Sequence, residues 1–265
     1  MRIAAGIDVG SKATKAVVVD GDRNILGRGA ARTRPDFPGV ARETLGAALA
    51  AAGLEAGDCG YLATTGFGRY NVPSRDLQIT EITCAARGAA HLFPGTACIL
   101  DVGAQSTRAV SLRDHGKVKE FKSNDKCAAG AGGFLERAAR YLEVPLEEIG
   151  ELSLRASSPP PISSVCAVLA ESEIINHVSS GQSVENILRG IHEALAARAL
   201  ALLARVGLQA ELTLVGGVAR QRGMVKALED ATSLRVNVPE EPDTAAALGA
   251  ALLALSRLER KALGA

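Results

Sequence analysis

A ten-residue pattern occurs twice in this chain, 93 residues apart. Residues 8–17 read Asp-Val-Gly-Ser-Lys-Ala-Thr-Lys-Ala-Val, and residues 101–110 read Asp-Val-Gly-Ala-Gln-Ser-Thr-Arg-Ala-Val. The apolar, β-branched residues around each glycine predict a strand, a tight turn and a second strand. Because internal duplication reflects repeated structural units, the pattern predicts two related α/β halves that each offer the same turn.

Each repeated turn carries groups that suit a nucleotide phosphate and its metal ion. Backbone N–H groups around Gly10 and Gly103 can hold phosphate oxygens. The preceding carboxylates, Asp8 and Asp101, can hold Mg²⁺, usually through water. Two opposed turns therefore predict a polyphosphate between them, whereas the alternative is that each turn is an ordinary hairpin.

A third glycine segment, at residues 213–220, reads Thr-Leu-Val-Gly-Gly-Val-Ala-Arg. A strand that ends in Gly216-Gly217 lets the backbone approach a flat ring closely, which suits adenosine. The chain contains no G-x-x-x-x-G-K-[ST] motif, and the glycines at 130–133 lack the spacing of a dinucleotide fingerprint. The predicted nucleotide site is therefore neither a P-loop nor a Rossmann site.

The remaining pattern alternates strands with helices. Strands are predicted at 61–65 and 212–215, and strand-turn-strand units at 3–20 and 97–112. Helices are predicted at 39–53, 80–91, 130–142, 167–177, 184–206, 222–232 and 244–263. We expect one domain at 1–94 plus 243–265, closed by the last helix, and a second at 95–242.

Two of the five cysteines, Cys127 and Cys166, stand at the starts of predicted helices. A helix N-terminus favours a thiolate, the form that binds metal. An iron–sulfur cluster normally takes four thiolates, so two copies of the chain would supply one set. The alternative is a buried cysteine acting as a small apolar residue, which is the prediction for Cys84 and Cys98. Cys59 is expected to be a loop thiol, and the four histidines surface or capping residues.

Composition narrows the possible partners. The formal net charge is +1, so no overall electrostatic bias toward nucleic acid or a membrane surface is expected. No apolar run reaches the length of about 20 residues needed to span a membrane. An acidic residue at position 8 comes too early for a signal peptide. We therefore expect a cytoplasmic protein, in which disulfides are rare.

The three glycine segments, in this order, resemble the actin/Hsp70/sugar-kinase ATPase superfamily. Residues 124–130 (Asn-Asp-Lys-Cys-Ala-Ala-Gly), the segment 166–173 and residues 79–82 narrow the resemblance. They are similar to the ATPase activators of 2-hydroxyacyl-CoA dehydratases and the related ATPase subunits of benzoyl-CoA reductase. The resemblance implies an α/β fold of two duplicated RNase H-like, actin/Hsp70-like halves with a nucleotide cleft between them.

The resemblance also implies roles for individual residues. Asp8 and Asp101 position Mg²⁺ and water, and Gln105 orients the attacking water. The implied phosphate contacts are Gly10, Ser11, Lys12, Thr14, Lys15, Gly103, Ala104 and Thr107, and the implied adenosine contacts are Gly216 and Gly217. The second turn departs from the family pattern, because Ala104, Ser106 and Arg108 stand where Gly, Asp and Lys are usual. The missing carboxylate at Ser106 is expected to affect the rate of hydrolysis.

In the implied function, Cys127 and Cys166 from two subunits bind one [4Fe–4S] cluster per homodimer, or per dimer with a close paralogue. A ferredoxin or flavodoxin supplies an electron, and ATP with Mg²⁺ drives its transfer to a CoA-thioester dehydratase or reductase. Two alternatives stay open. One is a small-molecule kinase of the superfamily without a cluster, and the other is a weakly hydrolysing nucleotide-binding subunit of a larger reductase.

Overall fold

The computed structural model of this chain describes residues 2–124, 132–163 and 167–263. The chain folds into two compact units. The first unit consists of Met1–Pro94, Arg113–Val118 and Thr244–Ala265, and the second of Gly95–Leu112 and Lys119–Asp243.

The described residues form ten strands and eight α-helices. The strands are β1 (Ala4–Val9), β2 (Ala13–Val19), β3 (Ile25–Arg32), β4 (Tyr61–Thr65), β5 (Leu77–Gln78), β6 (Cys98–Val102), β7 (Thr107–Arg113), β8 (Lys117–Asn124), β9 (Leu212–Val215) and β10 (Val236–Asn237). The helices are α1 (Phe37–Ala51), α2 (Glu81–Leu92), α3 (Gly132–Tyr141), α4 (Ile149–Ser153), α5 (Ala167–Ser179), α6 (Val184–Val206), α7 (Arg222–Thr232) and α8 (Ala245–Ala262).

The two five-stranded sheets have the same strand order. The first runs β3-β2-β1-β4-β5, and the second runs β8-β7-β6-β9-β10. In each sheet the central strand pairs antiparallel with the strand that follows it and parallel with the fourth strand. This repeated topology confirms the predicted pair of α/β halves, and it places the two repeated turns at equivalent positions in their own sheets.

The prediction missed the third strand of the first sheet, β3, because its sequence contains two glycines and few β-branched residues. The structure gives both glycines a packing reason. A Cβ atom on Gly27 would lie 2.1 Å from the carbonyl oxygen of Ala48, and one on Gly29 would lie 2.2 Å from that of Thr44. Both oxygens belong to α1, so the glycines let this helix pack directly on the strand.

The prediction also missed the corresponding strand β8, for a different reason. Its sequence, Lys-Val-Lys-Glu-Phe-Lys-Ser-Asn, is strongly charged, and none of its residues is fully buried. β8 is the outermost strand of its sheet, beside β7. Charged side chains are common on edge strands because they discourage pairing with other chains, so low hydrophobicity does not exclude a strand there.

The last helix, α8, belongs to the first unit and packs against α2 at very short range. A Cβ atom on Gly249 would lie 1.8 Å from the carbonyl oxygen of Cys84, and one on Gly88 would lie 2.0 Å from that of Ala245. Small residues at the contact let the two backbones approach, which explains how a chain with few aromatic residues builds a dense core. Among the residues described, no helix combines the length and apolar character needed to cross a membrane.

The core positions predicted for two cysteines are confirmed. Cys84 on α2 and Cys98 on β6 are both fully buried. Burial raises the pKa of the Cys84 thiol to about 12. A thiol in this state is neutral, so Cys84 acts as an apolar core residue rather than as a nucleophile.

The prediction of a surface or capping role was wrong for one histidine. His192 on α6 is fully buried, and its Nδ1 lies 3.0 Å from Oγ of Ser153. Because that hydroxyl donates to the carbonyl oxygen of Gly150, it accepts a hydrogen bond from Nδ1–H. The other ring nitrogen, Nε2, has no hydrogen-bond partner among the described residues. Burial, and secondarily the charge of Arg189, lower the pKa of His192 to about 3.

This buried histidine is expected to make folding sensitive to mild acid. The folded pKa of His192 lies below its unfolded value, so below about pH 6.5 only the unfolded chain takes up the proton. The free energy of unfolding is therefore undiminished by this residue above about pH 6.5 and decreases as the pH falls toward 3. His192→Asn, whose amide can still donate to Ser153, should remove up to about 1.4 kcal/mol per pH unit from the slope of unfolding free energy against pH. Chemical denaturation between pH 7 and about pH 4 measures this slope. An unchanged slope in the variant would contradict the expectation.

Candidate functional site

Within each unit the repeated acidic and basic residues form an ion pair. Strand pairing places Asp8 opposite Lys15 and Asp101 opposite Arg108. Nζ of Lys15 lies 3.5 Å from Oδ2 of Asp8, and a guanidinium nitrogen of Arg108 lies 3.3 Å from Oδ2 of Asp101. All four side chains are mostly buried. Arg108 therefore makes the same kind of contact with its carboxylate in the second turn as Lys15 makes in the first.

The first turn is closed tightly by its own backbone. A Cβ atom on Gly10 would lie 2.7 Å from the carbonyl oxygen of Ala13, so a side chain at this position would distort the turn. The second turn is looser, because a Cβ atom on Gly103 would meet nothing nearer than the carbonyl oxygen of Ser106 at 3.6 Å. Its N–H donates to that same oxygen.

One residue that supports the first turn was missed by sequence reasoning. The hydroxyl of Thr33, just after β3, donates to the carbonyl oxygen of Gly10 at 2.8 Å, and its N–H donates to that of Lys12 at 2.8 Å. Oγ1 of Thr14 lies 3.0 Å from Oγ1 of Thr33. Thr14 is fully buried and already has this partner, so its predicted contact with phosphate stays a prediction. No local motif marks Thr33, since the missed pairing of β3 with β2 is what brings it there.

The second turn is supported in a different way, by the start of α3. The N–H of Gly132 donates to the carbonyl oxygen of Gly103 at 2.9 Å, and that of Gly133 donates to the carbonyl oxygen of Ala104 at 2.7 Å. A Cβ atom on Gly133 would lie 2.9 Å from the Ala104 oxygen. The glycines at 132–133, which do not form a dinucleotide motif, therefore join a helix to the turn.

The segment predicted for adenosine follows β9. Gly216 has a φ of +90°, which favours glycine, and its N–H donates to the carbonyl oxygen of Pro242. Gly217 is exposed, and a Cβ atom there would have open space around it. Arg220, at the end of the segment, forms an ion pair with Asp243 at 2.6 Å. The exposed Gly217 thus begins a short 3₁₀ helix, Gly217–Arg220, that is held at both ends.

The predicted phosphate-binding residues differ in exposure. Ser11, Lys12 and Gln105 have exposed side chains, which can meet a ligand from solvent. Thr107 is almost fully buried at the start of β7. The individual ligand contacts of these residues stay predictions.

Both cysteines predicted to bind a cluster, Cys127 and Cys166, lie outside the described residues. The described part of the chain contains no group of three or more His, Cys, Asp or Glu residues able to hold a metal ion. The helices that follow the two cysteines, α3 and α5, are described, and they contact each other through side chains. Nε of Arg137 on α3 lies 2.5 Å from Oε1 of Glu171 on α5, and the hydroxyl of Tyr141 donates to Oε2 of Glu171 at 3.3 Å.

Two sheets of this order, each with an Asp-Val-Gly turn after its central strand, define the actin/Hsp70/sugar-kinase class of ATPase folds. Within that class, the chain belongs to the BadF/BadG/BcrA/BcrD ATPase family, which it matches over residues 5–254. This finding confirms the family resemblance derived from the repeated turns and the cysteine segments.

Individual relatives cover nearly the whole chain. The activator of lactoyl-CoA dehydratase from Anaerotignum propionicum is 42% identical over 97% of this chain and 98% of its own length. A benzoyl-CoA reductase polypeptide from Thauera aromatica is 41% identical over 99% of this chain and 96% of its own. The solved activator of 2-hydroxyisocaproyl-CoA dehydratase from Clostridium difficile, with bound ADPNP, is 35% identical, with a TM-score of 0.94 over 99% of this chain and 98% of its own.

Proposed function

We propose that this chain is an ATP-dependent reductive activator. In this function it hydrolyses ATP with Mg²⁺ and passes single, low-potential electrons to a dehydratase or reductase that acts on CoA thioesters. The names of its relatives support the proposal, since they describe activators of CoA-thioester dehydratases and a component of benzoyl-CoA reductase.

The proposed residue roles follow the repeated turns. Asp8 and Asp101 position Mg²⁺ and the attacking water, which Gln105 orients, and the backbone around Gly10 and Gly103 binds the phosphates. The contacts with Lys15 and Arg108 hold one oxygen of each carboxylate in place. The remaining proposed contacts are Ser11, Lys12, Thr14, Ala104 and Thr107 for phosphate, and Gly216 and Gly217 for adenosine.

The proposed electron carrier is one [4Fe–4S] cluster in a homodimer. The donor set fits such a cluster, because Cys127 and Cys166 from two chains make four thiolates. When bound, the cluster supplies a site that takes up and releases one electron, received from a ferredoxin or flavodoxin.

One observation carries the link between ATP and the cysteines: the second turn is hydrogen-bonded to the start of α3. Gly132, which accounts for one of these bonds, lies five residues after Cys127. The contact of Arg137 with Glu171 continues the connection to α5, whose first residue follows Cys166. We infer that a change at the second turn reaches α3 and, through the contact of Arg137 with Glu171, α5, the two helices that follow the cysteines.

Anaerobic purification followed by iron, sulfide and ATPase measurements tests the proposal. We expect about four irons and four sulfides for every two chains. We also expect ATP-dependent reduction of a partner dehydratase or reductase. Metal-free protein that phosphorylates a small molecule would support the kinase alternative instead. Iron-containing protein that binds ATP without hydrolysing it, alone or with its partner, would support the binding-subunit alternative.

Weakening the contact between α3 and α5 is expected to uncouple ATP from the cysteine segments. Glu171→Gln removes the charge that Arg137 contacts while keeping the size of the side chain. The ATPase rate should stay within about twofold, because neither side chain is among the proposed nucleotide contacts and loss of a partly exposed ion pair lowers stability by only about 1 kcal/mol. The change in hydrogen exchange of α5 on binding an ATP analogue should fall severalfold.

Glu151→Gln is a matched control, because Glu151 forms an ion pair with Arg222 in the same unit but outside this connection. It should leave the nucleotide-dependent exchange of α5 unchanged. Equal responses from the two variants would contradict the proposed route.

A further inference from the structure

The first unit contains a glycine that touches the carboxylate of the repeated turn. Gly66 directly follows β4, whose last residue, Thr65, pairs in parallel with Asp8. Gly66 has a φ of +89°. A Cβ atom built on it would lie 2.4 Å from Oδ1 of Asp8 and 2.5 Å from the carbonyl oxygen of Val9. Only a residue without a side chain leaves room for the carboxylate in its observed position.

The second unit repeats this arrangement. Gly216 directly follows β9, whose last residue, Val215, pairs with Asp101. Gly216 has a φ of +90°, and a Cβ atom on it would lie 2.8 Å from Oδ1 of Asp101 and 2.5 Å from the carbonyl oxygen of Val102. Gly66 and Gly216 therefore occupy equivalent places, although the sequences around them share little beyond the glycine.

We propose that Gly66 and Gly216 are positioning residues for Asp8 and Asp101. In each unit, one carboxylate oxygen lies against the glycine and the other faces the basic residue of the neighbouring strand. Contact on both sides sets the direction in which the carboxylate points. The inference rests on the proposed function, in which both carboxylates position Mg²⁺ and water. It assigns Gly66, which carries no part of the proposed ligand contacts, a role in hydrolysis.

Gly66→Ala and Gly53→Ala form a matched pair for testing this role. Gly53 lies in the same unit and also has a positive φ, +67°, but a Cβ atom there would meet nothing within 4 Å. Gly53→Ala controls for an alanine at a positive φ, whereas Gly66→Ala also brings a Cβ atom against Asp8 and the backbone of Val9. We expect Gly66→Ala to lower kcat at least about tenfold and to raise the Mg²⁺ concentration needed for half-maximal activity. Gly53→Ala should stay within about twofold of the unaltered protein.

A double-mutant cycle with Asp8→Asn separates positioning from general destabilisation. If Gly66 acts through the carboxylate, Gly66→Ala should have little further effect on kcat in the Asp8→Asn background. The electron paramagnetic resonance spectrum of Mn²⁺ bound with ADP should change in Gly66→Ala and not in Gly53→Ala. A role limited to stability would lower the melting temperature without altering either readout.

The outcomes distinguish failure of the inference from failure of the proposed function. If Asp8→Asn hydrolyses ATP normally, the role of Asp8 is wrong and the inference falls with it. If Asp8→Asn loses activity while Gly66→Ala behaves like Gly53→Ala, only the inference is overturned. Should Gly66→Ala fail to fold, Gly216→Ala tests the same role on Asp101, with the affinity for ADP measured alongside because Gly216 is also a proposed adenosine contact. Gly207→Ala, at a φ of +75° with open space, controls for an alanine at a positive φ. Equal metal-dependent activity in that pair would overturn the inference.

Discussion

Cys127→Ala and Cys166→Ala, each purified without oxygen, are expected to contain almost no iron or sulfide. A cluster shared by two chains needs four thiolates. Either substitution is present in both chains of the dimer, so it removes two of the four thiolates. The nucleotide turns lie on other segments, so the affinity for ATP should stay within about threefold. Iron content, the visible absorption of the cluster and ATP binding measured on one preparation test both parts of the expectation.

Cys59→Ala is the control for losing a thiol. Cys59 is partly buried, its thiol donates to the carbonyl oxygen of Tyr61, and burial raises its pKa. It has no place in the proposed cluster, so this variant should keep its full iron content. A complete cluster in either Cys127→Ala or Cys166→Ala would show that the two cysteines do not share the site.

Asp8→Asn and Asp101→Asn are each expected to reduce ATP hydrolysis by about a hundredfold or more, because electrostatic positioning of metal and water supplies most of the catalysis in phosphoryl transfer. Asparagine keeps the size of the side chain and removes the charge that faces Lys15 or Arg108. The dependence of kcat on Mg²⁺ concentration measures the effect, and far-ultraviolet circular dichroism checks the fold.

Asp22→Asn controls for removal of a negative charge from the first unit. Asp22 is exposed in the turn after β2, away from the repeated segments. Its substitution should leave hydrolysis unchanged. If Asp8→Asn or Asp101→Asn retained wild-type hydrolysis, the proposed role of that carboxylate would be wrong.

Much of the architecture could be predicted because local pattern and global fold agree. The bounds of β4, β9, α6 and α7 are those predicted, since strong apolar periodicity and clear end signals define them. β3 was missed because two glycines that pack against α1 stand where strands usually have β-branched residues. β8 was missed because it is an edge strand with a charged sequence. His192 was misassigned because a histidine in a helix carries no local sign of whether its face is buried.

The amino-acid sequence by itself determined the duplication, the class of ATPase and the identity of the acidic and cysteine residues that carry the proposal. Each of these depends on residue types at short spacing. Only the tertiary structure decided which residues support the turns: Thr33 for the first, the start of α3 for the second, and Gly66 and Gly216 against the carboxylates. Such contacts join segments far apart in the chain, and strand register and helix packing create them without a local sequence pattern.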